Sequence, residues 1–321
     1  MRQPLNSTIA IITMVVTIGC GALRTIHVPA TPPPPEQLSQ LWVDPGDTPR
    51  DLFWGIGGEQ LAPPREAPYE LIARDDRGFS TSFDVKGPDG VEWSAKIGPE
   101  AQTEVVVSRL LWGLGYHQPP IYYLPSWNLA LPKGESKRES EARFRPKLPQ
   151  LKVAKEPWRW ADNALLGARE FRGLLVTLLM FNSTDLKDDN NVIYEVSEPW
   201  RGGPRWFVVR DLGAALGETG KLDPRRNWLA GFEKQAFITQ VTDTSVRFDY
   251  TGRHQELLTM ISPGDVRWAA GRLRQLTDQQ WRDAFRSGNY SEADSARYVA
   301  RIREKIEDGL ALRVDRRVTD H

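Results

Sequence analysis

Between Tyr69 and Ile97 apolar and polar residues alternate in steps of two. Tyr69–Arg74 runs into Asp75-Asp76-Arg77-Gly78, Phe79–Lys86 alternates, Gly87-Pro88-Asp89-Gly90 interrupts, and Val91–Ile97 alternates again. A period of two is that of a half-buried strand, and clusters of Gly, Pro and Asp supply turns. Three antiparallel strands are predicted. In the third, Trp93 and Ala95 share one face, and Lys96 lies on the other with Glu92 and Ser94. The period then changes. Pro99 suits a first helical turn, and Val106 with Leu110, and Val107 with Leu111, stand four apart in a helix that closes near Gly113 and Gly115. Glu100 and Glu104 fall one turn apart on one face of it. Pro119–Pro125 reads as a further strand and a connection, and the charged, net basic stretch Lys133–Lys155 as a solvated insertion. Leu174–Phe181 is a buried helix, with Asp162-Asn163 placed to cap it, and it delivers the polar run Asn182–Asn191. Phe207–Arg210 is β-like and ends in Asp211-Leu212-Gly213. From Arg225 onward the pattern is mostly helical. Thr277–Gln280 and Ser291–Asp294 look like helix starts, and Tyr298, Ile302 and Ile306 are spaced by four. No internal repeat is visible.

The N-terminus adds a membrane to this picture. Arg2 precedes an uncharged apolar segment, Ile9–Gly19, too short to span a bilayer comfortably. Thr17-Ile18-Gly19-Cys20 resembles a bacterial lipobox, in which the cysteine is lipidated after cleavage. Residues 1–20 are thus expected to be a signal peptide or membrane anchor, with Cys20 the lipidation site. Residues 21–50, centred on Pro32-Pro33-Pro34-Pro35, are expected to be a stiff Pro-rich linker. A lipoprotein at the cell envelope follows from a lipidated Cys20; an uncleaved anchor would leave the body facing the cytoplasm.

The 321 residues suffice for two lobes, read as 51–125 and 126–321. Lys plus Arg and Asp plus Glu both number 42, which gives no basic field for a nucleic-acid partner. Cys20 is the lone cysteine, so no intramolecular disulfide forms. The four histidines are scattered and offer neither zinc-ligand spacing nor a triad. Trp54-Gly55-Ile56-Gly57-Gly58 has no Lys-Ser/Thr after it and reads as a turn, not a phosphate cradle.

Phosphoryl transfer asks for few protein groups. These are a strand Lys on the phosphates, a helix Glu orienting it, an Asp at the acceptor, and an Asn and a second Asp on the metal. Lys96, Glu104, Asp185, Asn190 and Asp211 supply that set in that chain order. Here the sequence resembles the protein-kinase-like superfamily. Asp185-Leu186-Lys187-Asp188-Asp189-Asn190 is similar to the catalytic loop D-L-K-x-x-N, Asp211-Leu212-Gly213 to the metal-binding D-F-G, and Val91–Lys96 to the strand that carries the phosphate-binding Lys. The overall style is closer to divergent members such as the HipA and CotH families. Ser183-Thr184 replaces the usual His-Arg, Gly78 is a single glycine where a glycine-rich loop is usual, and no A-P-E follows Asp211.

The resemblance implies an α+β, two-lobed fold: a small antiparallel β lobe with one helix, and a larger, mainly helical C-terminal lobe. It implies Asp185 as catalytic base, Lys187 as an aid to transfer, and Lys96 with Glu104 as the ion pair, Glu100 being its rival. It implies Asn190 and Asp211 as magnesium ligands, and Gly78 in the turn over the phosphates. Mg2+ and ATP are the expected cofactors. The expected partners are a nucleotide, an acceptor that is a protein or small molecule, and a membrane through the N-terminus. The alternatives are a non-catalytic kinase-like binding module (a pseudokinase) and a structural envelope lipoprotein.

Overall fold

The structure is a computed structural model that describes residues 26, 28–29, 31–76, 80–184, 186–198, 200, 203–220 and 225–313. The alternating stretch forms β1 (Pro68–Asp75), β2 (Ser82–Lys86) and β3 (Glu92–Ile97), paired antiparallel in chain order. Helix α1 (Glu100–Gly113) follows, with Pro99 at its N-cap. Then come β4 (Tyr122–Leu124), β5 (Trp127–Ala130), β6 (Ser136–Glu139) and β7 (Ala142–Pro146). All seven strands make one sheet in the order β4-β7-β3-β2-β1-β5-β6.

The N-terminal sheet thus runs to Pro146, past the boundary expected at 125. The stretch expected to be a solvated insertion supplies two of its strands. The physical reason is visible in β7, where Ala142 and Phe144 are fully buried while Arg143 and Arg145 face the other way. Two inward apolar residues outweigh a charged composition when the charges find partners. β5 adds to β1 in parallel, and β6 closes that edge.

One face of the sheet packs on an aromatic core. Trp93, Trp127, Tyr69 and Phe144 are buried and meet largely edge to face at centroid distances of 5.1–6.1 Å. Burial of each such side chain stabilises by about 1.5–3 kcal/mol, and the T-shaped contacts follow the ring quadrupoles. The opposite face, with Lys96, Ser94, Arg143 and Arg145, is left for chemistry.

The second half of the chain is mainly helical around a small three-stranded sheet, β10-β9-β8, built from β8 (Leu151–Val153), β9 (Asn191–Val196) and β10 (Arg205–Val209). The apolar run is α2 (Arg169–Met180), whose N-cap is Ala168. Asn163 does not cap it and instead accepts from the Leu165 amide, holding the preceding turn. Helices α3 (Pro263–Arg274), α4 (Asp278–Ser287) and α5 (Glu292–Leu310) follow. Capping boxes at Ser262 and Thr277 and an N-cap at Ser291 fix their starts, the last two where the sequence places them. A hairpin, β11 (Ile238–Val241) and β12 (Val246–Phe248), interrupts the region expected to be helical. The architecture is α+β, with an N-terminal sheet region and C-terminal helices.

The stretch expected to be a linker is partly built into the body. Leu41 is buried, Trp42 lies edge-on to Trp268 at 5.7 Å, and the Val43 amide donates to the Gly115 carbonyl. No helix among the described residues is long and apolar enough to cross a membrane. Ile9–Gly19 and Cys20 lie outside the described residues.

Candidate functional site

The register of the sheet builds the site. Lys96 pairs with Arg143 and Ser94 with Arg145, and directly opposed residues put their side chains on one face. The aromatic face turns Trp93 and Ala95 inward, which sends Lys96 to the cleft between the sheet and the helical half. There Lys96 Nζ lies 3.1 Å from Glu100 Oε2 and 3.5 Å from Asp211 Oδ1. The partner of Lys96 on α1 is therefore Glu100, and the expected Lys96–Glu104 pair is not formed. Glu104 is claimed one turn deeper: its Oε1 lies 3.0 Å from Arg143 Nε and 2.9 Å from Arg145 Nη2. Two arginines on β7 outcompete one lysine on β3 for the same carboxylate. Glu100 also meets Arg226 Nη1 at 2.8 Å.

The Asp211 station is fixed by close approach. A Cβ at Gly213 would come within 2.4 Å of Glu100 Cβ and 2.9 Å of the Glu100 carbonyl oxygen, so only glycine lets this segment lie against α1. Asp211 itself adopts φ +53°. Asp tolerates that left-handed backbone better than most residues, at a cost of about 1 kcal/mol. Strain of this kind is held in place by surrounding structure, here the Gly213–α1 contact.

The polar run after α2 is tied to the same segment. The Leu216 amide donates to the Phe181 carbonyl, Thr184 to Ala214 and Arg210 to Asn190. The Asn182 side chain donates to the Gly217 carbonyl at 2.7 Å. Beneath it, the wholly buried Lys305 of α5 donates to the Met180 carbonyl at 3.0 Å and to Asn182 Oδ1 at 2.7 Å, with Phe232 under its ammonium at 4.2 Å. Burial holds the Lys305 amine well below its usual range, with Arg301 adding to the depression and Asp249 opposing it.

Lys96, Lys187, Asn190 and Asp211 line one cleft of about 410 Å³, together with Glu100, Arg143, Arg145, Arg210 and Arg226. Glu104 sits behind it. Gly78 and Asp185 lie outside the described residues. The four arginines escaped the sequence reading. The alternation of Ala142-Arg143-Phe144-Arg145 was the one available signal for two of them.

The electrostatics are those of a persistent ion pair. Burial disfavours the Lys96 ammonium, yet Glu104, Asp211 and Glu100 together raise its pKa above the usual lysine value. Burial likewise disfavours the Asp211 carboxylate, but Lys96, Arg145, Arg143 and Arg210 bring its pKa below the ordinary range. Both groups are charged at neutral pH.

Among the described residues no three His, Cys, Asp or Glu are gathered closely enough to hold a metal ion by themselves. An ionised Asp211 and the Asn190 amide still suit magnesium, which takes one or two protein oxygens and completes its octahedron from phosphates and water.

No protein-family model matches the chain, and no curated protein does. Among solved structures it is similar to the Helicobacter pylori proinflammatory kinase CtkA, with 10% identity and a TM-score of 0.43, over 75% of this chain and 96% of that one.

Proposed function

We propose that the chain is a kinase-like phosphotransferase that uses Mg–ATP on a protein or small-molecule acceptor. The observation that carries this reading is the Lys96–Glu100 pair set 3.5 Å from Asp211, in the same cleft as Asn190 and Lys187. Lys96, kept charged and oriented by Glu100, holds the phosphate chain of the donor. Asp211 and Asn190 would hold magnesium, which would supply positive charge against the negative charge that develops on transfer. Asp185 orients the acceptor hydroxyl and takes its proton. Lys187 stabilises the transferring group. Arg226, through Glu100, is a positioning residue for Lys96.

With the full-length chain, Mg–ATP is expected to raise the melting temperature, by an amount that grows with ligand concentration. Asp211→Asn is the variant of choice, because Asn accepts the left-handed backbone while losing the charge. The shift should vanish in it, and label transfer from radioactive ATP should vanish too. A melting temperature indifferent to Mg–ATP in the parent chain would sink the reading. A nucleotide shift that persists in Asp185→Ala, with no transfer by the parent chain, would favour a non-catalytic nucleotide-binding module.

We further propose that the body is tethered to a membrane through a lipidated Cys20, on the strength of the segment Ile9–Cys20. Cys20→Ala should then move the protein from the membrane fraction to the soluble one. An unchanged distribution speaks against lipidation.

A further inference from the structure

The cleft proposed above as the phosphate-donor site has walls of an unusual kind. Among the described residues that line it, not one side chain is apolar: they are Asp, Glu, Ser, Asn, Lys and Arg throughout. Six are cationic, namely Lys96, Arg143, Arg145, Lys187, Arg210 and Arg226. Against them stand the carboxylates of Asp75, Glu100 and Asp211 in the wall, and Glu104 behind it. Six against four leaves two positive charges in excess.

Some of these cations have donors left over. Arg145 spends one Nη on Glu104, yet its buried Nε has no hydrogen-bond acceptor. Arg210 makes no ion pair among the described residues, and its buried Nε also lacks an acceptor. Both side chains line the cleft, where their guanidinium groups can meet an oxyanion that arrives from solution. Phosphate is the oxyanion whose geometry the guanidinium fork fits, with two parallel N–H···O bonds. A nucleobase asks for something else. Its faces are held by stacking on aromatic or aliphatic walls, which this cleft does not offer among its described residues.

We propose that the cleft recognises the phosphate chain of its ligand and not the base. It takes the magnesium complexes of purine and pyrimidine nucleoside triphosphates, and of inorganic tripolyphosphate, with similar affinity. This rests on the reading of the cleft as a phosphate-donor site and specifies what that site reads.

Calorimetric titration of the full-length chain with Mg–ATP, Mg–CTP and Mg–tripolyphosphate tests it. A base stacked on an aromatic wall tightens binding by roughly five- to hundredfold. Here the three dissociation constants should fall within about threefold of one another, and all should weaken together as salt is raised. Arg210→Gln, which breaks no ion pair of the described fold, should weaken all three by the same factor, about tenfold for one lost charged contact. Preference for ATP over both other ligands by tenfold or more would overturn the inference and leave the phosphotransferase reading standing. So would a loss on Arg210→Gln confined to ATP. Equal binding without any phosphate transfer would overturn the phosphotransferase reading and leave this inference standing. Binding of none of the three would overturn both.

Discussion

Glu104→Ala lowers the unfolding free energy by roughly 3–5 kcal/mol, the cost of stranding buried charge. Glu104 is 1% exposed and its Oε1 faces both Arg143 and Arg145. Removing it takes away the carboxylate both guanidinium groups touch and leaves them Asp211 as the remaining nearby negative charge. The same principle predicts a rescue. Glu104→Leu combined with Arg143→Met and Arg145→Leu removes charge and keeps volume, and regains most of the loss. Glu100→Gln behaves differently, because Lys96 keeps Asp211 at 3.5 Å. It should change stability little and weaken nucleotide binding. Urea unfolding separates the two. The midpoint should fall steeply in Glu104→Ala at unchanged slope. A loss under about 1 kcal/mol there, the size of an exposed pair, would show that the arginines find other partners or reach water.

The second large effect belongs to Lys305. Lys305→Ala removes the donor to the Met180 carbonyl and Asn182 Oδ1 and opens a hole beside Phe232. Lost hydrogen bonds and cavity together should cost about 2–5 kcal/mol. Lys305→Met refills the volume and recovers part. Both variants should blunt the Mg–ATP shift, because Asn182 loses one of the contacts that hold the start of the 182–191 loop. The pH dependence isolates the charge. Burial depresses the folded-state pKa below the usual 10.5, so the unfolded chain binds the extra proton at intermediate pH. Stability attributable to this group is therefore poorest at low pH and rises as pH climbs toward 10.5. Phe232 beneath the ammonium offsets the penalty only in part. Relative to Lys305→Met, wild type should gain stability as pH rises toward 10.5. Parallel profiles for the two proteins would count against a depressed lysine.

Much of the fold could be read in advance, for reasons tied to local chemistry. Strands β1 to β3 announce themselves because each residue either packs on the aromatic core or faces the cleft, and the turns are made of Gly, Pro and Asp. Lys96 follows from that alternation alone. Helix α1, the caps at Thr277 and Ser291 and the period of α5 are equally local. What escaped depends on distant partners. β7 carries two arginines in five residues, and nothing nearby says that Glu104 will neutralise both. Once they take Glu104, Lys96 is left with Glu100. Spacing alone does not rank these glutamates, because they stand on the same face of α1. The boundary at 125 failed for the same reason, since β5, β6 and β7 are placed by pairing with strands far back in the chain. Asp162-Asn163 had capping chemistry, but the helix starts where the chain meets the core, at Arg169.

The depth at which Lys305 is anchored also bears on how the protein comes off the ribosome. Its contact with Asn182 spans 123 residues, and that of Lys96 with Asp211 spans 115. The sheet can pair while later segments are still being made. The loop bearing Asn190 gains the Lys305 contact at its Asn182 end only when α5 has left the exit tunnel and docked, because the closure of such long loops has to precede the contacts that reward it. A nascent chain halted before residue 305 carries a folded sheet and an unfinished cleft. The support beneath Asn182 is completed last, when the final long helix inserts its lysine.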